Sequence, residues 1–163
     1  IPVKEFHFPD RYRETVLARG EAGIDDAGDG DGDIAVLILD RPTKATPIAF
    51  NERPLSRSTV GSEVRFVGYG LDKAVGSARG RMGVRKAAIT KISQITSATI
   101  AILEGDNPCH GDSGGPMLLE ENGVEVVIGV GHLMLGEGCD AGADYQRTDR
   151  YVDFIRGHVA RTR

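Results

Sequence analysis

The sequence predicts an all-β fold, built as a Greek-key barrel or sandwich and followed by one C-terminal helix. The first reason is composition: 22 of the 163 residues are glycine, aromatic residues make up only 6%, and tryptophan is absent. The second reason is a series of short apolar runs, each bounded by turn residues, as the strands of a sheet require. With 40% apolar residues, the chain is large enough to bury the core of one domain.

The strands can be placed from the alternation of apolar and polar residues. Residues 3–8 alternate loosely and stop at Pro9, whereas residues 34–39 are apolar on both faces, which predicts a strand buried on both sides. Further strands are predicted at residues 63–67, 85–92, 97–103, 116–119, 124–131 and 144–148. Thr148 or Asp149 then caps the terminal helix.

Charge gives no indication of a nucleic-acid or membrane partner. The formal net charge is −4, and the lysines and arginines are scattered rather than clustered. The longest apolar segments, 34–39 and 124–135, are too short or too interrupted to span a bilayer. Residues 25–33 are rich in aspartate and glycine and predict an exposed acidic loop. Ile34 stands where an EF-hand loop needs glycine, so this loop does not predict an EF-hand site, and a loosely held surface cation is the alternative that stays open.

The most informative segment is residues 109–116, which read CHGDSGGP. Gly111 and Gly114 allow the backbone to turn tightly around the hydroxyl of Ser113 and let a substrate approach. In such a turn the N–H groups of Gly111 and Ser113 can point together at a developing oxyanion, which is what acyl transfer requires. The segment also fits the G-x-S-x-G elbow of α/β-hydrolases, but Pro108 before it and Pro116 after it argue against the strand and helix that the elbow needs.

Residues 111–116 resemble the nucleophile motif of the trypsin/chymotrypsin family of serine proteases (peptidase family S1) at every position. Residues 33–39 resemble that family's triad aspartate followed by a buried strand, and they precede the serine as in the family. The resemblance implies a serine endopeptidase without cofactors. In it Ser113 is the nucleophile, Asp33 orients a catalytic histidine, and the amides of Gly111 and Ser113 form the oxyanion hole.

The same resemblance implies a double Greek-key β-barrel, with residues 1–50 forming the remainder of an N-terminal barrel and residues 51–163 the C-terminal barrel and helix. It also implies a set of residues that contact the polypeptide substrate: Asn107, His110, His132 and Leu133. Asn107 stands where an enzyme selective for Arg or Lys carries aspartate. Asp106 and Asp144 are close enough to replace that aspartate, so cleavage after basic residues stays open.

Cys109 and Cys139 resemble the disulfide that flanks the family's specificity pocket. Such a bridge closes a loop of about 30 residues and is worth about 3–4 kcal/mol, and it predicts a secreted or extracytoplasmic protein. Asp112 resembles the activation-pocket carboxylate, which in this family pairs with a new N-terminal amine and makes the precursor a zymogen. Ile1 is an isoleucine, but Pro2 departs from the usual sequence, so we expect the activating amine elsewhere.

The catalytic histidine has no clear counterpart in the sequence. In the family it lies well before the aspartate, in a motif of small residues followed by His-Cys, and no such motif precedes Asp33. His7 is the sole upstream histidine, and its neighbours resemble a later turn. We therefore expect an N-terminal fragment of the same protease, separate or cleaved, to carry the histidine and to be a partner of this chain. The alternative is a catalytically inactive, protease-like binding protein.

Overall fold

The computed structural model describes residues 1–12, 32–71, 82–136 and 138–159. These residues fall into two compact units. The first unit is the described part of Ile1–Pro47 together with that of Tyr151–Arg163, and the second is the described part of Ile48–Arg150. The acidic loop predicted at residues 25–33 lies almost wholly outside the described residues. The division into two barrels at residue 50 stays a prediction.

The first unit contains a two-stranded antiparallel sheet of β1 (Val3–His7) and β2 (Val36–Leu39), and a helix, α1 (Val152–Val159). Phe6 lies opposite Leu37 in the sheet. The prediction that the second strand is buried on both sides is wrong for this chain, since Leu37 is 56% exposed and Leu39 is 39% exposed. Val3 and Phe6, which lie opposite Leu39 and Leu37, are exposed as well, so one apolar face of this two-stranded sheet is left uncovered among the described residues.

The second unit is one antiparallel sheet of seven strands. They are β3 (Glu63–Gly68), β4 (Lys86–Lys91), β5 (Gln94–Ile95), β6 (Thr99–Ile102), β7 (Pro116–Glu121), β8 (Val124–Met134) and β9 (Ala143–Arg147). Their order across the sheet is β4-β3-β7-β8-β9-β6-β5. Each strand predicted for this unit overlaps an observed one, whereas the two-residue strand β5 was not predicted.

The two edge strands of this sheet are consecutive in the chain, and the segment between them closes the sheet into a barrel. Gly61 N donates to Ile92 O at 2.8 Å and Ile92 N donates to Ser62 O at 3.1 Å, which continues the pairing of β4 with the β3 side. The next residue, Ser93, donates to Ala101 O at 2.9 Å, on the β6 side. A single bent segment thus connects both ends of the curled sheet, in which β4 and β5 each pair with one neighbouring strand among the described residues.

The barrel interior is filled by apolar side chains from most of its strands. The buried cluster comprises Val64, Phe66, Ile92, Ile100, Ile102, Met117, Ile128, Ala143 and Tyr145. Side chains alternate between the two faces of a strand, so the inward residues form this cluster while their neighbours face outward. The predicted all-β class and the C-terminal helix are confirmed. Within the described ranges, no helix has the length and apolar character needed to cross a membrane.

Candidate active site

The segment that carries Ser113 forms a tight loop between β6 and β7, fastened to the barrel by backbone hydrogen bonds. Gly114 N donates to Gly131 O at 2.8 Å, and Gly131 N donates to Gly115 O at 2.8 Å, so the loop is tied to strand β8. Asp112 N donates to Cys109 O at 3.0 Å within the loop. Ser113 itself is exposed. The loop therefore presents the hydroxyl to solvent on a rigid support.

Gly111 has a backbone conformation that only glycine adopts readily. Its φ is +91°, and a Cβ added there would lie 2.6 Å from Met82 Cε. Within the described part of the chain, no hydrogen bond occupies the amide of Gly111 or that of Ser113. Both amides are available to an incoming oxygen, which is the property required of the predicted oxyanion hole.

The carboxylate of Asp112 is held by two backbone amides. Gly70 N donates to Oδ1 at 2.7 Å, and Cys109 N donates to Oδ2 at 2.8 Å. Leu71 N also donates to His110 O at 2.9 Å, so the turn at residues 68–71 is joined to the serine loop twice. The turn and the loop form one hydrogen-bonded body. A cationic partner for Asp112 stays a prediction.

This arrangement leaves no room for a side chain at Gly68, where a Cβ would lie 1.8 Å from Asp112 Oδ1. We expect Gly68→Ala to lower the free energy of unfolding by about 1–3 kcal/mol, because the carboxylate must leave its two amides. Urea unfolding measures the loss, and faster hydrogen exchange at the Gly70 amide locates it. The matched control is Gly157→Ala in α1, where nothing lies within 4 Å. Equal behaviour of the two variants would contradict the close fit at Gly68.

The predicted disulfide between Cys109 and Cys139 is confirmed, and the two half-cystines are 30 positions apart in the sequence. It joins the start of the serine loop to the connection between β8 and β9. By the chain-entropy model, a closed loop of this length contributes about 3–4 kcal/mol to the free energy of unfolding. The bridge thus holds together two segments that border the serine.

Ser113 borders a small cavity of about 30 Å³, formed by the serine loop and by β8 and β9. His132, Leu133, Met134 and Asp144 form its other side. Burial raises the pKa of the Asp144 carboxyl, and the charge of nearby His132 partly opposes that shift. The cavity therefore combines the exposed hydroxyl of Ser113 with a carboxyl group that is harder to ionise than usual.

The structure brings only part of the predicted substrate-contacting set to this cavity. His132 and Leu133 line it, whereas Asn107 lines a separate cavity of about 430 Å³ on which Asp112 also borders. Asn107 Nδ2 donates to Gly105 O at 3.0 Å, while its buried Oδ1 lacks a hydrogen-bond partner. His110 is exposed. The roles of these four residues stay predictions.

Met134 borders the cavity beside Ser113 but was not predicted to do so. The sequence pattern around it nevertheless indicates that the strand reaches this position. Residues 124–131 were predicted as a strand that ends at Gly131, whereas β8 continues to Met134. Its pairing with β9 is irregular between Gly131 and Leu133, which leaves His132 in a β-bulge. The apolar residues 133–135 after the bulge indicate that the strand continues.

Asp33 lies in the first unit, at the centre of a tight turn just before β2. Ile34 N donates to Gly32 O at 2.7 Å across Asp33, and Gly32 N donates to the hydroxyl of Tyr151 at 2.7 Å. His7, the one histidine ahead of Asp33 in the sequence, contacts another residue of that unit: its ring packs against the tilted ring of His158, with centroids 4.2 Å apart. Asp33 as the partner of a catalytic histidine stays a prediction.

Comparison with known proteins gives consistent matches. The family model described as Trypsin matches residues 7–155. The chain is 29% identical over 152 residues to the venom plasminogen activator LV-PA of Lachesis muta muta, covering 80% of this chain and 55% of that protein. It is 28% identical over 155 residues to the vitamin K-dependent protein C of Oryctolagus cuniculus, covering 79% of this chain and 33% of that protein. A collagenase of Hypoderma lineatum is 38% identical over 55 residues, 32% of this chain and 20% of that protein.

An antiparallel β-barrel that presents an exposed serine between glycines, in the sequence GDSGGP, is the architecture of a chymotrypsin-type serine protease domain. The chain belongs to the trypsin family, and the predicted trypsin-like fold is confirmed. It spans about half of the venom plasminogen activator and a third of protein C.

Proposed function

We propose that this chain is the larger part of a serine endopeptidase that cleaves polypeptides through an acyl-enzyme intermediate. The observation that carries the proposal is the exposed Ser113 on a loop whose Gly111 and Ser113 amides are unoccupied within the described residues. A serine hydroxyl next to two unoccupied N–H groups is suited to attack the carbonyl carbon of a peptide bond. The N–H groups can stabilise the negative charge that the attack creates on the carbonyl oxygen.

In the proposed reaction, Ser113 Oγ bonds to the carbonyl carbon of the substrate as its proton passes to an imidazole. The negative charge on the carbonyl oxygen is stabilised by the amides of Gly111 and Ser113. The imidazolium then protonates the leaving amine as the C–N bond breaks, which leaves an ester on Ser113. Water, deprotonated by the same imidazole, hydrolyses the ester and restores the hydroxyl. Asp33 orients the imidazole.

The imidazole in this proposal comes from a segment outside the 163 residues, an N-terminal fragment of the same protease. The uncovered face of the β1–β2 sheet supports such a partner. Phe6 and Leu37, which lie opposite each other, are 66% and 56% exposed, and Val3 and Leu39 are 47% and 39% exposed. A two-stranded sheet with an exposed apolar face is marginally stable in water, and further strands would cover it.

Two further properties follow from the same proposal. Secretion or another extracytoplasmic location is supported by the disulfide, since such bridges persist in oxidising surroundings. In activation from a zymogen, a new N-terminal amine would form an ion pair with the Asp112 carboxylate. Asp112 borders the cavity of about 430 Å³. That cavity includes apolar wall residues such as Phe66 and Leu71, which suit the side chain of an inserted N-terminal residue.

The proposal is tested by labelling the native preparation with an organophosphonate, which reacts only with an activated serine. We expect stoichiometric labelling of Ser113, with a rate that falls as the pH drops through about 7, because the imidazole must be neutral to accept the proton. Intact mass spectrometry of the same sample should detect a second, histidine-bearing fragment. A folded sample that contains this fragment and yet does not label would contradict the proposal and favour the inactive binding protein.

His132→Gln is the matched control for the source of the imidazole, because His132 borders the same cavity as Ser113. The proposal expects labelling of this variant within about tenfold of the parent rate, since removal of a true general base costs about 10²–10⁴-fold. Labelling abolished by His132→Gln would instead place the base on this chain.

A further inference from the structure

The cavity beside Ser113 is small for a substrate-binding pocket. It measures about 30 Å³, against roughly 300–1,000 Å³ for pockets that enclose a drug-sized ligand. It is therefore much smaller than a pocket that would enclose a long side chain. In a bound substrate, the residue before the cleaved bond has the side chain nearest to Ser113. The volume of the cavity therefore limits the size of that side chain.

The small size arises from the path of strand β8 beyond its bulge. After the irregularity between Gly131 and Leu133, the strand resumes pairing with β9, with Leu133 opposite Asp144 and Met134 opposite Ala143. Met134 and Leu133 border the cavity together with Pro108 of the serine loop. Residues 132–134 thus form one wall of the cavity.

We infer that this site accepts small, uncharged side chains, those of alanine, glycine or serine, at the residue before the cleaved bond, and that Met134 is the residue that excludes larger ones. The inference rests on the proposed function and narrows its substrate class. A methyl or hydroxymethyl group matches the available volume, whereas the side chains of leucine, phenylalanine, lysine and arginine exceed it.

Charge in the cavity wall disfavours acidic side chains as well. The Asp144 carboxyl borders the space and is half-buried. A second carboxylate beside it would repel any negative charge that Asp144 carries and would itself lose solvation. Basic side chains could pair with Asp144, but their aliphatic stems do not fit a cavity of about 30 Å³.

Binding can be tested without turnover, because the chain has only three methionines, Met82, Met117 and Met134. This chain, labelled with ¹³C at its methionine methyl groups and assembled with the unlabelled N-terminal fragment, is titrated with acetylated tripeptides that end in Ala-Ala-Ala, Ala-Ala-Phe or Ala-Ala-Arg. We expect the peptide ending in alanine to shift the Met134 signal and the other two to leave it unchanged. Met117, which is fully buried in the barrel, is the internal reference.

Equal shifts of Met134 with the phenylalanine or arginine peptide would overturn the inference, and so would the absence of any shift with all three. Met134→Gly should enlarge the cavity and let the phenylalanine peptide bind, detected as protection of the Ser113 amide from hydrogen exchange. Failure of this variant to admit phenylalanine would also count against Met134 as the excluding residue.

Hydrolysis by the native preparation gives a second, independent measurement. We expect kcat/KM for cleavage after alanine to exceed that after arginine by about 100-fold, the discrimination a tight apolar pocket achieves. Selective binding of the alanine peptide without hydrolysis would uphold the inference and count against the proposed function. Hydrolysis that favours arginine or phenylalanine would uphold the function and overturn the inference.

Discussion

Ser113→Ala should lower kcat for peptide hydrolysis by about 10⁶-fold, since in the proposed mechanism this residue is the nucleophile and its removal abolishes the acyl-enzyme route. The substitution removes one exposed oxygen, so the folded structure should be unaffected. The measurement is turnover of a peptide ester or amide by the native preparation, with the variant assayed at a concentration high enough to detect residual activity.

Ser97→Ala is the control for this substitution, because Ser97 is also an exposed serine of the second unit. Its activity should equal that of the parent chain. If Ser113→Ala retained more than about a hundredth of the parent activity, the hydrolysis would have to come from another group or another protein, because loss of a true nucleophile costs far more.

Among the substitutions proposed here, Arg147→Met should lower the free energy of unfolding the most, by about 3–5 kcal/mol. The side chains of Arg147 and Asp149 are only 9% and 1% exposed, and they form a two-point ion pair with distances of 3.0 and 2.6 Å. Arg147 also donates to Thr96 O at 2.6 Å. The substitution leaves the Asp149 carboxylate buried without its charged partner. Urea unfolding measures the change.

Two further variants distinguish loss of the pair from loss of packing. Adding Asp149→Leu to Arg147→Met should recover part of the stability, because an apolar pair avoids the cost of an isolated buried charge. The exposed pair of Arg53 and Glu121 is the control, and Arg53→Ala should cost at most about 1 kcal/mol, since Arg53 is 78% exposed. If Arg147→Met and Arg53→Ala lowered the free energy of unfolding equally, the expectation that the buried ion pair stabilises the fold more than the exposed one would be wrong.

The strands of the barrel were predictable because each one carries its own pattern. Residues 63–67 alternate in the way that a strand with one buried face does, and residues 116–119 form a short apolar run; β3 and β7 contain them. Strand β5 has only two residues, Gln94 and Ile95, and its existence depends on pairing with Ala101 and Ile100. Two residues are too few to show an alternation of apolar and polar side chains. The strand can therefore be recognised only from its hydrogen bonds in the folded protein.

The site shows the same division between local and distant information. The turn around Ser113 could be read from sequence because Gly111 and Gly114 sit next to it, and both have the positive φ that favours glycine. The volume of the cavity could not be predicted from the sequence, because it depends on a bulge that shifts the register of β8 against β9. The exposure of Leu37 was also mispredicted, since an apolar run does not say whether both of its faces are covered.

The link between β4 and β5 through Ile92 and Ser93 leaves the central strands of the sheet independent of its surface connections. Because β7, β8 and β9 each pair with a neighbour on both sides, the connection between β8 and β9 can lengthen, shorten or change composition without unpairing the strands next to Ser113. Under the proposed function, preference for different peptides can therefore diversify by alteration of surface connections alone, while the Ser113 hydroxyl keeps its position.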